Sequence, residues 1–431
     1  MPPRFDFQYK FHPAGQGIFA TGMVRESNSR KDFSWVFDCG STTPFAVLKP
    51  AISSYKLKID DHIDLLCISH FDHDHVSGLG DLLAGLSVGT VVIPYCTAVE
   101  RLAIGAVPGS ARKDYFEFLR DPIAFILERA ESVKSILIVG APPTGSQAPP
   151  PSPPESPDPA GRWHLKVDRP IAAPRNVGSA ALQLAVEKGS EIMAAVSECH
   201  ATVSYGEQAA GWEFLFFHKP IDPAIRARIQ SKVRARIGVA GPLSKSDVFD
   251  ALTMPTTRQA IRAIYESELK RPESVNATSL CVYTGPCLNQ TNQIRLEPPK
   301  YDLGCSRIPA LGIAGFGQLH DKCSILYTGD ANFKVNENRQ QVMDFLTAER
   351  WAAIAILQVP HHGSRNNWKV GSAPEFHHRY SVFCAHEKHK KFKHPHKEVV
   401  ADLASHGFLL ANKSQGCSWD GQVISHPNAL P

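Results

Sequence analysis

Apolar residues between positions 5 and 95 fall into short bursts of strand length, closed by Gly, Pro or Ser. "GIFATGMV" and "FSWVFDCGS" are β-branched and aromatic runs, "IDLLCIS" reads as a buried strand, and "VGTVVIPY" follows a short helix predicted at "GLGDLLAGL". This alternation of β and α predicts an α/β domain. From about 97 to 135 the apolar spacing becomes helical, as in "KDYFEFLRDPIAFILERAESV".

Residues 142–161 hold nine prolines, which can continue neither a helix nor a central strand, and read as a disordered or polyproline linker. Beyond it the pattern predicts a helix near "GSAALQLAVEKGSEIMAAV", a hairpin over "CHATVSYGEQAAGWEFLFFHKP" and a helix over "DPAIRARIQSKVRARIGVAG". That helix sets Ile225, Ile229, Val233 and Ile237 on one face and Arg226, Arg228, Lys232, Arg234 and Arg236 on the others. A basic amphipathic helix of this kind either solvates its outer face or lies along a phosphate backbone. Strands return after about 275 at "TSLCVYTG", "GIAGFGQL", "KCSILYTGD" and "IAILQVP", followed by the helix "HKEVVADLASHG" and terminal strands.

At 431 residues with 43% hydrophobic content the chain can build a sizeable core. A net charge of +4 permits an anionic partner without demanding one. Ten cysteines are scattered with no C-x-x-C pair, so neither a disulfide framework nor a structural zinc knuckle is signalled. No signal-peptide core and no apolar run long enough to span a membrane is present, so the chain reads as cytoplasmic and the sequons at Asn276 and Asn289 as chance.

The candidate chemistry begins in "ISHFDHDHVSG", directly after an apolar strand. His70 and Asp72 stand two apart, which on extended chain directs them to one side, and Asp74 and His75 follow at the turn into a helix. His73 points to the other side. Imidazole and carboxylate without cysteine suit a reactive zinc, manganese or iron centre more than a structural zinc site. "LYTGD" then ends a strand on Asp330, and "ILQVPHHGS" ends another on His361 and His362, the strand ends where open α/β folds build sites.

The order F-D-C-G-S, S-H-x-D-x-D-H-x-S-G, N-x-x-S-L-x-V, Y-T-G-D and V-P-H-H-G-S resembles the metallo-β-lactamase fold superfamily, most of all its ComEC-like branch. "KHPHKEVVADLASHG" is similar to the late G-H-P-x-x-x-V-L-x-x-L motif of that branch, with Lys393 in place of the glycine. The resemblance implies an α/β, four-layer αβ/βα sandwich with helical insertions and two divalent metals at one edge. Its halves would be residues 1–96 and 275–431, separated by a helical insertion at 97–141, the Pro-rich linker at 142–161 and an insertion at 162–274. The insertions are the candidates for contact with a protein partner.

By the same resemblance His70 and Asp72 hold one metal, Asp74 and His75 the other, Asp330 bridges, and one of His361 or His362, here His362, completes the second. Asp38 would buttress the ligand loop, Asp74 and His394 would be catalytic, and His218 is a possible additional ligand, with a core histidine equally open. An aspartate at position 72, where the commonest motif has histidine, turns the metal choice from zinc toward manganese or magnesium. Arg365, Lys393 and His396, with Lys369, Lys388, Lys390, Lys391 and Lys397 nearby, could bind an anionic substrate.

Two metals lower the pKa of water toward neutrality and neutralise charge building on an attacked centre. The sequence thus points to a metal-dependent phosphodiesterase, most simply a nuclease. A hydrolase of a small ester, lactone or cyclic nucleotide is the alternative within enzymes, and a metal-binding regulatory subunit of a multiprotein system is the alternative outside them.

Overall fold

The computed structural model describes residues 4–27, 29, 31–106, 113–140, 163–168, 171–172, 179–195, 198–205, 211–219, 221–269, 278–287, 290–301, 322–388 and 393–427. The Pro-rich segment 142–161, the strand predicted at "GIAGFGQL", Asn276, Asn289, Lys390 and Lys391 lie outside them.

Two sheets face one another. The first runs in spatial order Gln290–Leu296, Cys417–Pro427, Arg4–Phe11, Phe19–Glu26, Asp32–Cys39, His62–Cys67, Ser87–Pro94, Ser132–Val139, Glu191–Ala195 and Ile171–Ala172. The second runs Gly407–Ala411, Tyr380–Cys384, Ile354–Gln358, Ser324–Tyr327, Cys281–Pro286, Trp212–Phe217, Glu198–Tyr205 and Trp163–Val167. Each has a parallel block: Asp32–Cys39 through Glu191–Ala195 in the first, and Ser324–Tyr327 through Gly407–Ala411 in the second.

Three apolar layers hold this arrangement together. Trp35, Leu65, Val92 and Leu137 of the first sheet meet Trp212, Phe214, Ile325 and Val382 of the second in the central layer. The outer face of the first sheet packs Val91 and Ile136 against Leu48, Leu82, Phe118 and Ile126 of its helices. The outer face of the second packs Leu326 and Leu357 against Val342, Leu346 and Trp351 of the helix Asn336–Ala353. Three cores between four layers make the αβ/βα sandwich.

The segments read as insertions prove to supply sheet strands. Residues 97–141 contain the helices Ala98–Gly105, Lys113–Arg120 and Pro122–Arg129, then the strand Ser132–Val139, which pairs in parallel with Ser87–Pro94 in the middle of the first sheet. Ile136 and Ile138 face the helices while Leu137 and Val139 face the other sheet, so both faces are apolar and no period-2 signal survives. Residues 162–274 likewise give Glu191–Ala195 to the first sheet and Trp163–Val167, Glu198–Tyr205 and Trp212–Phe217 to the second, where the last two form an antiparallel hairpin.

The basic helix spans Pro223–Ile237 and stands among Lys245–Thr253 and Pro255–Glu268. Its cations are partly engaged: Arg226 pairs with buried Glu100 at 3.0 Å, and Arg228 and Lys232 both reach Glu268. This weakens the case for the helix as a phosphate-binding ridge. Among the described residues no helix is long and apolar enough to cross a membrane.

Candidate metal centre

Apart from His218, which follows the antiparallel strand Trp212–Phe217, every loop carrying a candidate ligand leaves the carboxyl end of a strand in one of the parallel blocks, and the two blocks deliver those ends to one edge of the sandwich. Asp38 closes the strand Asp32–Cys39, and Ser69 and His70 follow His62–Cys67. Asp330 follows Ser324–Tyr327, and His361 and His362 follow Ile354–Gln358.

In the first loop Asp72 is the N-cap of the short helix His73–Val76, so Asp74 and His75 fall in its first turn. Asp38 is fully buried at φ +55° and uses both carboxylate oxygens to fix this loop. Its Oδ1 accepts from the Ser69 amide at 2.7 Å, and its Oδ2 accepts from the Ser69 hydroxyl at 2.6 Å and from His75 Nδ1 at 2.7 Å. The His75 proton is thereby placed on Nδ1, and Nε2 is turned inward with its lone pair. His70 is oriented likewise by Ser69 Oγ, 2.9 Å from Nδ1. His73 leaves the cluster and meets Tyr115 edge-on.

Gly40 lies against the backbone of this helix: a Cβ there would stand 2.5 Å from the His75 amide nitrogen. Gly40→Ala must therefore push His75 off Asp38, and metal affinity is expected to fall at least about tenfold, measured by competition with a chelator. Unchanged affinity would show that the helix can shift at no cost.

On the opposite sheet, buried Gln358 accepts from the amides of Thr328 and Gly329 at 2.8 and 2.7 Å and so shapes the turn that presents Asp330. Asp330 receives its neighbours on separate oxygens. His361 Nδ1 lies 3.0 Å and His70 Nε2 3.6 Å from Oδ2, whereas His75 Nε2 lies 3.2 Å and His362 Nε2 3.8 Å from Oδ1. His362 Nε2 is also 3.0 Å from Asp74 Oδ2, with its Nδ1 donating to the Cys384 carbonyl at 2.6 Å. Asp72 Oδ2 is 3.7 Å from His70 Nε2.

Consecutive residues His361 and His362 reach different oxygens because both sit in the left-handed region, at φ +47° and +57°. Their surroundings differ as well: the His362 side chain is buried and that of His361 is 25% exposed. Two groups of donors result, His70, His75 and Asp330 in one and Asp74, His75 and His362 in the other, with ligand atoms within 4.8 Å of one another in each. Asp72, Asp74 and His361 form the partly exposed rim, at 20, 17 and 25% side-chain exposure.

The donor chemistry fits metal. The buried Nε2 atoms of His70 and His75 face Asp330 yet make no well-formed hydrogen bond. The pocket also favours positive charge. Burial and the neighbouring His75 oppose protonation of His70, but the Asp330 and Asp72 carboxylates carry its pKa up to about 9. Although burial works against it, Asp330 is held well below the usual carboxylate range by His361, His75 and His70. Protonated imidazoles or bound cations both satisfy such a site.

At the mouth, the ring of His394 lies 5.6 Å from that of His361 and 6.1 Å from that of His362, with His396 4.9 Å beyond. Burial, His362 and His361 push the His394 pKa down to about 3, so the ring is neutral. Sequence reasoning missed Gln16, buried in the loop between the first two strands. Its Oε1 accepts from the His386 amide at 3.2 Å, which assigns its amide nitrogen as donor to His394 Nδ1, also at 3.2 Å. The remaining imidazole proton is then on Nε2. The only sequence signal for Gln16 was its place in the small-residue loop "PAGQG".

Lys393 adopts φ +54°, a conformation free to glycine, which accounts for glycine at this position in the similar motif. The Arg365 amide donates to His396 Nδ1 at 3.3 Å, while its guanidinium lies 3.4 Å from Glu398. His218 is in neither donor group. It is buried against Gly140, and burial pushes its pKa down to about 4, as for a core histidine.

Residues 24–160 match the family model of the metallo-beta-lactamase superfamily. That stretch holds Asp38 and the His70–His75 loop but none of Asp330, His361 or His362, which the fold brings in from the second sheet. No curated protein matches the chain. The superfamily match and the two donor groups together support a metal-dependent hydrolase.

Proposed function

We propose, taking a metal-dependent hydrolase of the metallo-beta-lactamase superfamily as the premise, that this chain is a binuclear phosphodiesterase acting on nucleic acid. The observation that carries the reading is the bilateral Asp330 carboxylate, each oxygen facing its own set of histidines. His70, Asp72 and Asp330 would hold one divalent ion, and Asp74, His75, Asp330 and His362 the other. Manganese, zinc and magnesium are the candidates, the oxygen-rich set favouring the harder ions. When bound, two such ions supply Lewis-acid charge and an activated water.

The protein's own groups do the rest. Asp38 keeps His75 in the ligating tautomer. His394, neutral with its proton on Nε2, can donate a hydrogen bond to a phosphoryl or leaving oxygen at the rim, and Gln16 holds it in that tautomer. Arg365, Lys393 and His396 beside it offer positive charge or donors to flanking phosphates. The order of motifs, including "VPHHGS", supports the ComEC-like branch.

Gln16→Met should lower kcat about tenfold or more while leaving metal content unchanged, because it loosens His394 and no ligand. A parallel loss of metal would assign Gln16 to the fold of the centre instead. His362→Ala should lose more metal than His361→Ala, in line with its burial and its contact with Asp74. Equal losses measured by elemental analysis would make the two histidines equivalent.

The test of the reading itself is cleavage of single-stranded and duplex DNA and RNA with manganese, magnesium and zinc. Asp74→Ala should abolish cleavage and leave salt-sensitive binding largely intact, since binding rests on Lys and Arg contacts to phosphate. Metal-loaded protein that neither binds nor cuts nucleic acid but hydrolyses a small ester, lactone or cyclic nucleotide would transfer the site to that class.

A further inference from the structure

The helices on the outer face of the first sheet enclose a second cleft, of about 290 Å³, that shares no His or Asp with the metal centre. Its walls come from the chain after the strand Ser87–Pro94, from Arg120–Ile123, and from the helices Pro223–Ile237 and Lys245–Thr253. Four cations line it, Arg101, Arg120, Arg234 and Lys245, against one carboxylate, Asp121.

Two of those cations are accounted for. Arg101 donates to the carbonyls of Leu119, Cys96 and Arg120, bracing the helices, and Lys245 pairs with Asp121. Arg120 and Arg234 are not: each has a buried Nε that makes no hydrogen bond. Arg120 has the Phe249 ring 5.6 Å from its guanidinium carbon, which provides attraction but no acceptor. A guanidinium remains charged at any relevant pH, and a charged donor without an acceptor is costly. Each Nε is itself buried, but the two guanidiniums line the cleft with no carboxylate partner among the described residues, and a tetrahedral phosphate supplies acceptor oxygens that match the terminal nitrogens of such a fork.

Phe71, Ile123 and Val248 are among the apolar residues of the lining, which leaves room for a body attached to the anion. We infer that this cleft is a binding site for a phosphate-bearing small molecule with an apolar or aromatic body, separate from the metal centre. Phe71 stands between the candidate ligands His70 and Asp72, and its carbonyl accepts from Tyr115 at 3.0 Å. An occupant would therefore touch the back of the ligand loop.

The probe is phenylphosphonate, whose C–P bond withstands hydrolysis, titrated calorimetrically into the metal-replete full chain. Binding is expected in the parent protein and in Asp330→Ala, and at least tenfold weaker in the double variant Arg120→Gln/Arg234→Gln. Inorganic phosphate should bind more weakly because it lacks the apolar body, and benzoate more weakly because it lacks the tetrahedral head. Should the double variant fail to fold, Gln230→Trp, which fills the cleft from a half-exposed helix position, must remove binding while circular dichroism and metal content match the parent. The inference is overturned if the parent does not bind, or if binding disappears in Asp330→Ala and persists in the cleft variants. It is also overturned if benzoate or phosphate binds as tightly as phenylphosphonate.

Discussion

On the proposed binuclear phosphodiesterase reading, Asp330→Ala is expected to lower phosphodiester turnover by at least about 1000-fold and to carry the metal content from about two ions per chain toward none. The size of the effect follows from the position of the carboxylate. Oδ2 faces His361 and His70, Oδ1 faces His75 and His362, and no other described carboxylate stands between both sets. Its removal takes one ligand from each proposed ion and withdraws the negative charge that faces four imidazoles. Elemental analysis and turnover should fall together. An Asp330→Ala protein retaining both metals and activity would mean that Asp330 only neutralises the histidines.

Asp38→Asn should weaken metal binding by about 10- to 100-fold without touching a ligand. Asparagine tolerates the φ of +55° at this position and fills the same volume. It cannot reproduce the chemistry. Asp38 accepts three hydrogen bonds, from the Ser69 amide, the Ser69 hydroxyl and His75 Nδ1, and the amide group replaces one accepting oxygen by a donor. If the nitrogen meets His75, the imidazole proton must move to Nε2, the atom that faces Asp330 and would bind metal. Competition with a chelator reads the affinity, and a thermal melt separates this effect from loss of the fold. Full retention of metal affinity would show that His75 keeps its tautomer without Asp38.

The strand ends that make the centre were readable in the sequence because apolar runs such as "IDLLCIS" and "KCSILYTGD" stop abruptly at their polar residues. Their partition within the site was less so. That His361 and His362 reach different oxygens of Asp330 depends on two successive left-handed residues, a backbone feature that no side-chain pattern announces. Gln16 and Gln358 escaped notice for a related reason: a buried amide working through backbone and imidazole contacts looks like any polar residue in a loop or at a strand end. The strands Ser132–Val139 and Glu191–Ala195 were hidden beside amphipathic helices, because strands covered on both faces lose their alternation. The basic helix is the opposite case. Its charge was plain, but Glu100 and Glu268, distant in sequence, engage three of its cations.

Anomalous scattering from crystals grown with manganese tests most directly the proposal that two ions share Asp330. Two peaks are predicted, about 4 Å apart, one among His70, Asp72 and Asp330 and the other among Asp74, His75, Asp330 and His362. A single peak, or none in metal-replete crystals, would contradict it.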